Sequence, residues 1–177
     1  MTTLNIAGKF KMNKALSESM DEMLNLQGVG WLKRKAMSTI TITITIKHYE
    51  NSNGVESLSL VQSIPGVDAE EPEEKVLNWV EQIKDTKMFG PCVTKARRVR
   101  IEELEDTYLK DGWDAETLEH GCILVHLAPQ GKAGWSMIQT WGMETINGEK
   151  HHVRRISLTA KGETLQNRIV YDYVAKD

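Results

Sequence analysis

The sequence predicts an all-β protein: an antiparallel up-and-down β-barrel of about ten strands, with a two-helix lid between the first two strands. Three observations predict it. Gly8-Lys9-Phe10-Lys11-Met12 alternates with period two, and the stretch that follows, to Ala36, changes to helical spacing. Thr39-Ile40-Thr41-Ile42-Thr43-Ile44-Thr45-Ile46 then returns to strict alternation. Beyond it, short alternating runs separated by tight turns continue to the end of the chain. A helical lid over a barrel mouth is a way to hide an apolar small molecule from water.

In the first strand Phe10 and Met12 share one face, and Lys9 and Lys11 the other. Leu16, Met20, Met23, Leu24 and Gln27 recur at helical spacing. Ser17 or Ser19 can cap this helix, and Asp21 and Glu22 suit its first turn. Gly28-Val29-Gly30 breaks it, and a second helix runs from Trp31 to Met37. Its Lys33, Arg34 and Lys35 suit a C-terminus, where the macrodipole is negative. The Thr/Ile run is β-branched at every position, which makes it a strand with one isoleucine face and one threonine face. Two readings stand for it: threonines toward solvent over an isoleucine core, or threonines lining a partly wet cavity.

Asn51-Ser52-Asn53-Gly54 supplies a hairpin turn, residues 55–64 the return strand, and Pro65-Gly66 its end. Residues 68–74 are acidic and contain proline, hence an exposed loop. Strands are expected over 75–84 and 92–104. Residues 104–120, acidic and non-alternating with Trp113 inside, read as a loop or short helix. Strands over 121–129 and 134–145 lead to the turn Ile146-Asn147-Gly148-Glu149. A last hairpin joins residues 151–159 to 164–174 through Ala160-Lys161-Gly162-Glu163.

A chain of 177 residues is expected to form a single domain over 1–177, with a helical lid at about 15–37 and extra loops at about 66–74 and 104–120. Hydrophobic residues at 40% and charged residues at 27% are ordinary globular proportions, and a net charge of -3 argues against nucleic-acid partners. No apolar run is long enough to span a bilayer. Cys92 and Cys122 make no disulfide framework, and the start of the chain lacks a secretory signal, so a reduced, cytoplasmic setting is expected. Composition does not specify the oligomeric state.

Trp79, Trp135, Trp141, Tyr171 and Tyr173 are the large side chains available to line a cavity. Any single one is more often core or surface cover than a ligand contact, but as a set on barrel strands some should reach the interior. Met20, Met23 and Trp31 belong to the lid, with Trp31 expected to pack down onto the mouth. The basic run Lys95-Ala96-Arg97-Arg98-Val99-Arg100 lies on a strand and reads as a solvated face paired with acidic neighbours. His151-His152 point to opposite faces of a strand, so they cannot chelate a metal together, and no metal site is expected. His126 shares a face with Cys122 and Leu124 and reads as a hydrogen-bonded core or barrel-wall histidine rather than a catalytic base. No nucleophile elbow, P-loop or Gly-x-Gly-x-x-Gly motif occurs, and no cofactor is expected.

The N-terminal segment resembles the intracellular lipid-binding proteins, the fatty-acid- and retinoid-binding family within the calycins. Gly8, Phe10 and Met12 match the family's opening strand, and Ser17-Glu18-Ser19-Met20-Asp21-Glu22-Met23-Leu24 its first helix. Gly28-Val29-Gly30-Trp31 matches the interhelical junction and Arg34-Lys35 the basic pair. Further on, Trp141, Asn147-Gly148 and Arg155 resemble the family's tryptophan, turn and inward arginine. The family's terminal Arg-x-Tyr is out of register: Arg168 lies an odd number of residues from Tyr171, hence on the opposite face. With its extra length, the chain resembles a fungal-type, lipocalin-like variant of the fold.

Two functions follow as expectations. The first is intracellular binding of a hydrophobic lipid or apolar metabolite, with Met20, Met23, Trp31, Trp79, Trp135, Trp141, Arg155, Tyr171 and Tyr173 as candidate contacts. The alternative is a cofactor-independent isomerase, cyclase or dehydratase of secondary metabolism acting in the same cavity. In that case Arg155 is the electrophilic partner, and Tyr171, Tyr173 or His151 the proton donors or acceptors. Residues 104–120, if folded over the mouth, would remodel the pocket.

Overall fold

Ten antiparallel strands curl into one sheet in the computed structural model, which describes residues 2–64, 66, 71–131 and 134–175. They are β1 (Gly8–Met12), β2 (Thr43–Glu50), β3 (Glu56–Ser63), β4 (Glu73–Val76) and β5 (Gln82–Thr86), followed by β6 (Gly90–Val99), β7 (Cys122–Pro129), β8 (Trp135–Ile146), β9 (Glu149–Ala160) and β10 (Glu163–Ala175). The order is β4-β3-β2-β1-β10-β9-β8-β7-β6-β5, so β1 joins the two halves by pairing with both β2 and β10. Helices α1 (Asp21–Leu26) and α2 (Trp31–Thr39) lie between β1 and β2. This is the up-and-down, lidded arrangement that the alternation predicts.

Register settles which reading of the Thr/Ile run holds. Phe10 pairs with Ile44, and Ile46 with Leu60, and all four are buried in one core. The threonines between them are only half-buried, so isoleucine faces inward and threonine outward. The same core takes Met23 from the lid and Ile123, Met137, Trp141, Ile156 and Tyr171 from β7 to β10.

Several boundaries differ from the expectation, each for a local reason. α1 begins at Asp21 rather than near Ala15, because Asn13 Oδ1 accepts from the N–H groups of Ala15 and Leu16 and turns the chain there. α2 runs on to Thr39, into the alternating stretch. Ser38 and Thr39 donate their hydroxyls to the carbonyls of Lys35 and Ala36, extending the last turn, and β2 starts only at Thr43. The strand expected over 75–84 is two strands. Between them Trp79 has φ 61°, and Asn78 Oδ1 accepts from the Val80 N–H to form a tight turn. The Trp79 N–H donates to the Ala96 carbonyl, which ties this turn back onto β6. Of the acidic stretch 68–74, residues 68–70 lie outside the described residues, while Glu73 and Glu74 belong to β4 rather than to a loop. The strand expected over 92–104 ends at Val99 and passes into a short 3-10 turn at Ile101–Glu103.

The stretch 104–120 forms α3 (Thr107–Lys110) and α4 (Ala115–His120), each started by an aspartate: Asp106 accepts from Tyr108 N–H and Asp114 from Thr117 N–H. It does not fold over the mouth. Leu104, Leu109 and Trp113 pack with Val99, Cys122, Leu124, Val153 and Val170, the outward residues of β6, β7, β9 and β10, as a second core on the outside of the sheet.

Trp31 also departs from expectation, being 66% exposed. None of the side chains of α2 is buried, and the helix is held instead by Arg34, which donates to Asp21, Asn25 and the Val29 carbonyl. Trp31→Ala is therefore expected to move stability by less than about 0.5 kcal/mol in a urea unfolding experiment. A loss well above that would mean Trp31 packs against the barrel.

Candidate functional site

Trp141 and Arg154 face each other across β8 and β9 on the inner side of the sheet. The turn at Asn147-Gly148 sets this register, with Ile146 opposite Glu149, so that every inward residue of β8 meets an inward residue of β9. The Arg154 guanidinium carbon lies 3.9 Å from the Trp141 ring centroid and 5.2 Å from that of Tyr171. Trp141 is fixed in turn, its Nε1 donating to Gln139 Oε1 at 2.8 Å. Arg154 Nε lies 3.4 Å from His152 Nε2. Burial first, and then the neighbouring Arg154 charge, hold His152 well below its ordinary pKa, so it is neutral and free to accept that bond. Burial also lowers the Arg154 pKa, but a guanidinium starts high enough to keep its charge. Arg154 Nη2 is buried and has no hydrogen-bond partner among the described residues.

A second charged group completes the interior. Lys75 and Glu73 on β4 pair with Leu58 and Leu60, whose side chains face inward, so they share that face. Lys75 is 6% exposed, and its Nζ is 2.6 Å from Glu73 Oε1 and 5.9 Å from the Trp141 centroid. Lys84 from β5 takes the other oxygen, Glu73 Oε2, at 2.6 Å. Lys75 and Lys84 thus share a single carboxylate, and the Arg154 charge lies within range of both Lys75 and Glu73. A buried excess of positive charge is costly unless a further acceptor arrives. Burial pushes the Lys75 amine down while Glu73 pulls it back up.

These ion pairs make an acid-stability prediction. Burial raises the Glu73 carboxyl, but Lys75 and Lys84 outweigh it and hold the group at about 2, against an ordinary value of 4.5. On β3 burial likewise raises Glu56, and hydrogen bonds from His48 and Arg98 outweigh it, leaving it at about 2. Both carboxylates bind protons more tightly unfolded than folded, so their stabilisation is full above the unfolded value and disappears as pH falls toward the folded one. The thermal midpoint should fall between about pH 4.5 and about pH 2, and Glu73→Gln should flatten part of that fall. A midpoint independent of pH in that window would contradict the pairing.

Sequence reasoning put other residues forward, and the structure separates them. Tyr171 and Trp141 line the interior beside Arg154, with Trp135 farther along, edge-on to Phe89 at 5.0 Å. Met23 is buried and Met20 packs against the same core. Tyr173 sits at the rim, 45% exposed, edge-on to Phe10 at 5.7 Å. Trp79 lies on the outer surface, with Lys95 and Arg97 at 5.0 and 5.3 Å from its ring. Arg155 is not the inward arginine: strand alternation turns it to the outer face, where its Nη2 bonds Glu144 Oε2 at 3.1 Å. His151 points outward too, its Nδ1 3.0 Å from Asp172. Arg168 is likewise outward, bonded to Glu144, as its odd spacing from Tyr171 predicts. Arg154, His152, Lys75, Glu73 and Lys84 were missed, although the two-residue turn already sets residue 154, not 155, opposite Trp141.

A cleft of about 260 Å³ opens between the lid and the first two strands, lined by Met12, Met20, Met37, Ile40 and Ile42 with Arg34 at its rim. Met12, Met20 and Ile42 also pack against the inner core, so the cleft lies against that core. No helix among the described residues is long and apolar enough to cross a membrane.

A lidded ten-stranded barrel with polar groups gathered inside an apolar wall defines the class: the chain has the fold of the fatty-acid-binding, calycin-type barrels. A fatty acid binding protein of Schistosoma mansoni, solved with arachidonic acid, superposes with a TM-score of 0.59 at 11% identity, over 99% of this chain and 100% of that one. No family model matches the sequence. Two curated fungal proteins match nearly throughout. The probable pericyclase scpY of Mollisia scopiformis is 29% identical over 178 residues, covering 98% of this chain and 92% of the relative. The pericyclase pydY of an Acremonium species is 30% identical over 183 residues, covering 98% and 94%. The chain belongs to the family of these fungal proteins.

Proposed function

We propose that this protein takes up a hydrophobic, conjugated small molecule within the barrel and accelerates its pericyclic ring closure. The observation that carries the reading is the buried Arg154, its guanidinium carbon 3.9 Å from the Trp141 ring centroid and its Nη2 without a hydrogen-bond partner among the described residues. An N–H aimed at a ligand carbonyl draws electron density from the conjugated system and stabilises charge that grows in the transition state. In this reading Trp141 and Tyr171, the aromatic residues around Arg154, hold a flexible polyene in its reactive, folded conformer. A [4+2] closure makes two carbon–carbon σ bonds from two π bonds and retains every atom, so orientation and polarisation suffice as catalysis. His152, neutral and accepting from Arg154 Nε, acts as a positioning residue. The kinship with the two pericyclases supports the reaction class, and the barrel fold supports the hydrophobic substrate. The unbridged, buried Cys92 and Cys122 fit a reduced, cytoplasmic setting.

The test is incubation of the purified protein with linear conjugated polyenes that bear a carbonyl. The expected result is a product of unchanged mass that has lost the long-wavelength absorbance of the substrate. A second reading, a carrier, is favoured by the apolar cleft between the lid and the barrel. Saturable binding of the same polyenes without any conversion would establish the carrier and overturn the enzyme.

A further inference from the structure

The strand that carries Arg154 inward also carries Arg155 outward, and the outward side is fastened with unusual density. Glu144 on β8 is 7% exposed and accepts from Arg155 Nη2 at 3.1 Å and from Arg168 Nη1 of β10 at 2.7 Å. One carboxylate thus clips three adjacent strands together. The Arg155 guanidinium lies 5.2 Å from the Tyr108 ring and 5.5 Å from that of Trp113, both from the segment between β6 and β7. Gly112, at φ 74°, makes room for it: a Cβ there would sit 2.0 Å from Arg155 Nη2.

The same segment also grips β8 by its backbone. β7 pairs with β8 only as far as Trp141, so Met143 has no strand partner on that side. Thr117 Oγ1 accepts from Met143 N–H at 2.9 Å, and the Met143 carbonyl accepts from Asp114 N–H at 3.0 Å. Thr117 is fully buried, and Gly142 lets it and Trp113 approach, since a Cβ at 142 would lie 2.7 Å from Thr117 Cγ2. Trp141, whose ring carries Arg154, is the next residue but one. A packed wall with two fastenings does not deform gradually, so the inner side chains take their alignment from the outer ones.

We infer that Glu144 and Thr117 are positioning residues: the segment from Ile101 to Gly121 is a buttress that aligns Trp141 and Arg154 from outside the barrel. This rests on the reading of Arg154 as the group that meets the substrate. Neither Glu144 nor Thr117 reaches the interior, so they act on the rate through alignment rather than on substrate capture. Full-length Glu144→Gln and Thr117→Val are compared with the parent protein in two measurements, the Arg154 Nε–H signal by nitrogen-15 NMR, identified with Arg154→Lys, and steady-state conversion of a polyene substrate. The expected result is a shifted or broadened Arg154 signal and a kcat lowered by about 10-fold to 10²-fold, with KM close to the parent value. An unchanged Arg154 signal, or an unchanged kcat, in either variant that folds overturns the inference, as does a raised KM at constant kcat. Thr117→Val preserves shape, so it carries the test if Glu144→Gln does not fold. If the parent protein converts no polyene, the proposed function fails by itself, and the NMR signal alone decides the buttress.

Discussion

Arg154→Met is expected to lower the rate of ring closure by about 10²- to 10³-fold, the scale on which a single preorganised donor acts. The fold should survive it. Arg154 is buried within range of the Lys75 charge and has no ion-pair partner among the described residues, so replacing it with an apolar chain of similar length leaves less charge to desolvate. The thermal midpoint should therefore stay level or rise while activity disappears. A drop in both would mean Arg154 is a structural ion, and an unchanged rate would remove it from the reaction.

Trp113→Ala has the largest expected effect on stability. Trp113 is 6% exposed and its Nε1 donates to the Leu109 carbonyl at 2.9 Å, at the centre of the outer core. Deleting a buried tryptophan side chain typically costs about 3–5 kcal/mol. For a chain of this size that corresponds to a fall of about 6–20 °C in the thermal midpoint. A loss below about 1 kcal/mol would show that the segment between β6 and β7 is an appendage rather than part of the folded unit.

Much of the fold is legible in the chain because its turns are explicit. Asn51 to Gly54, Asn147-Gly148 and Lys161-Gly162 each close a hairpin, and the glycine-interrupted helix pair between β1 and β2 marks the lid. Polar residues inside the barrel were less legible. Glu73 reads as part of an exposed acidic loop and Lys75 as the start of a strand, with nothing to mark either as interior, when in fact the two pair within the barrel. The inward arginine illustrates the same problem. Family resemblance pointed to Arg155, but the two-residue turn pairs Trp141 with Arg154, and a shift of one residue exchanges the faces. The buttress was unreadable for another reason. Its helices are too short to show a period, and what they bury is the outside of a sheet that alternation marks as solvated.

In the proposed function Arg154 meets the carbonyl of an apolar ligand inside the barrel. Infrared difference spectroscopy of a carbon-13-labelled dienone bound to the protein tests this most directly. The labelled carbonyl stretch is expected to move to lower frequency on binding, and to return to its value in apolar solvent in Arg154→Met. A bound carbonyl at the same frequency in both proteins would contradict it.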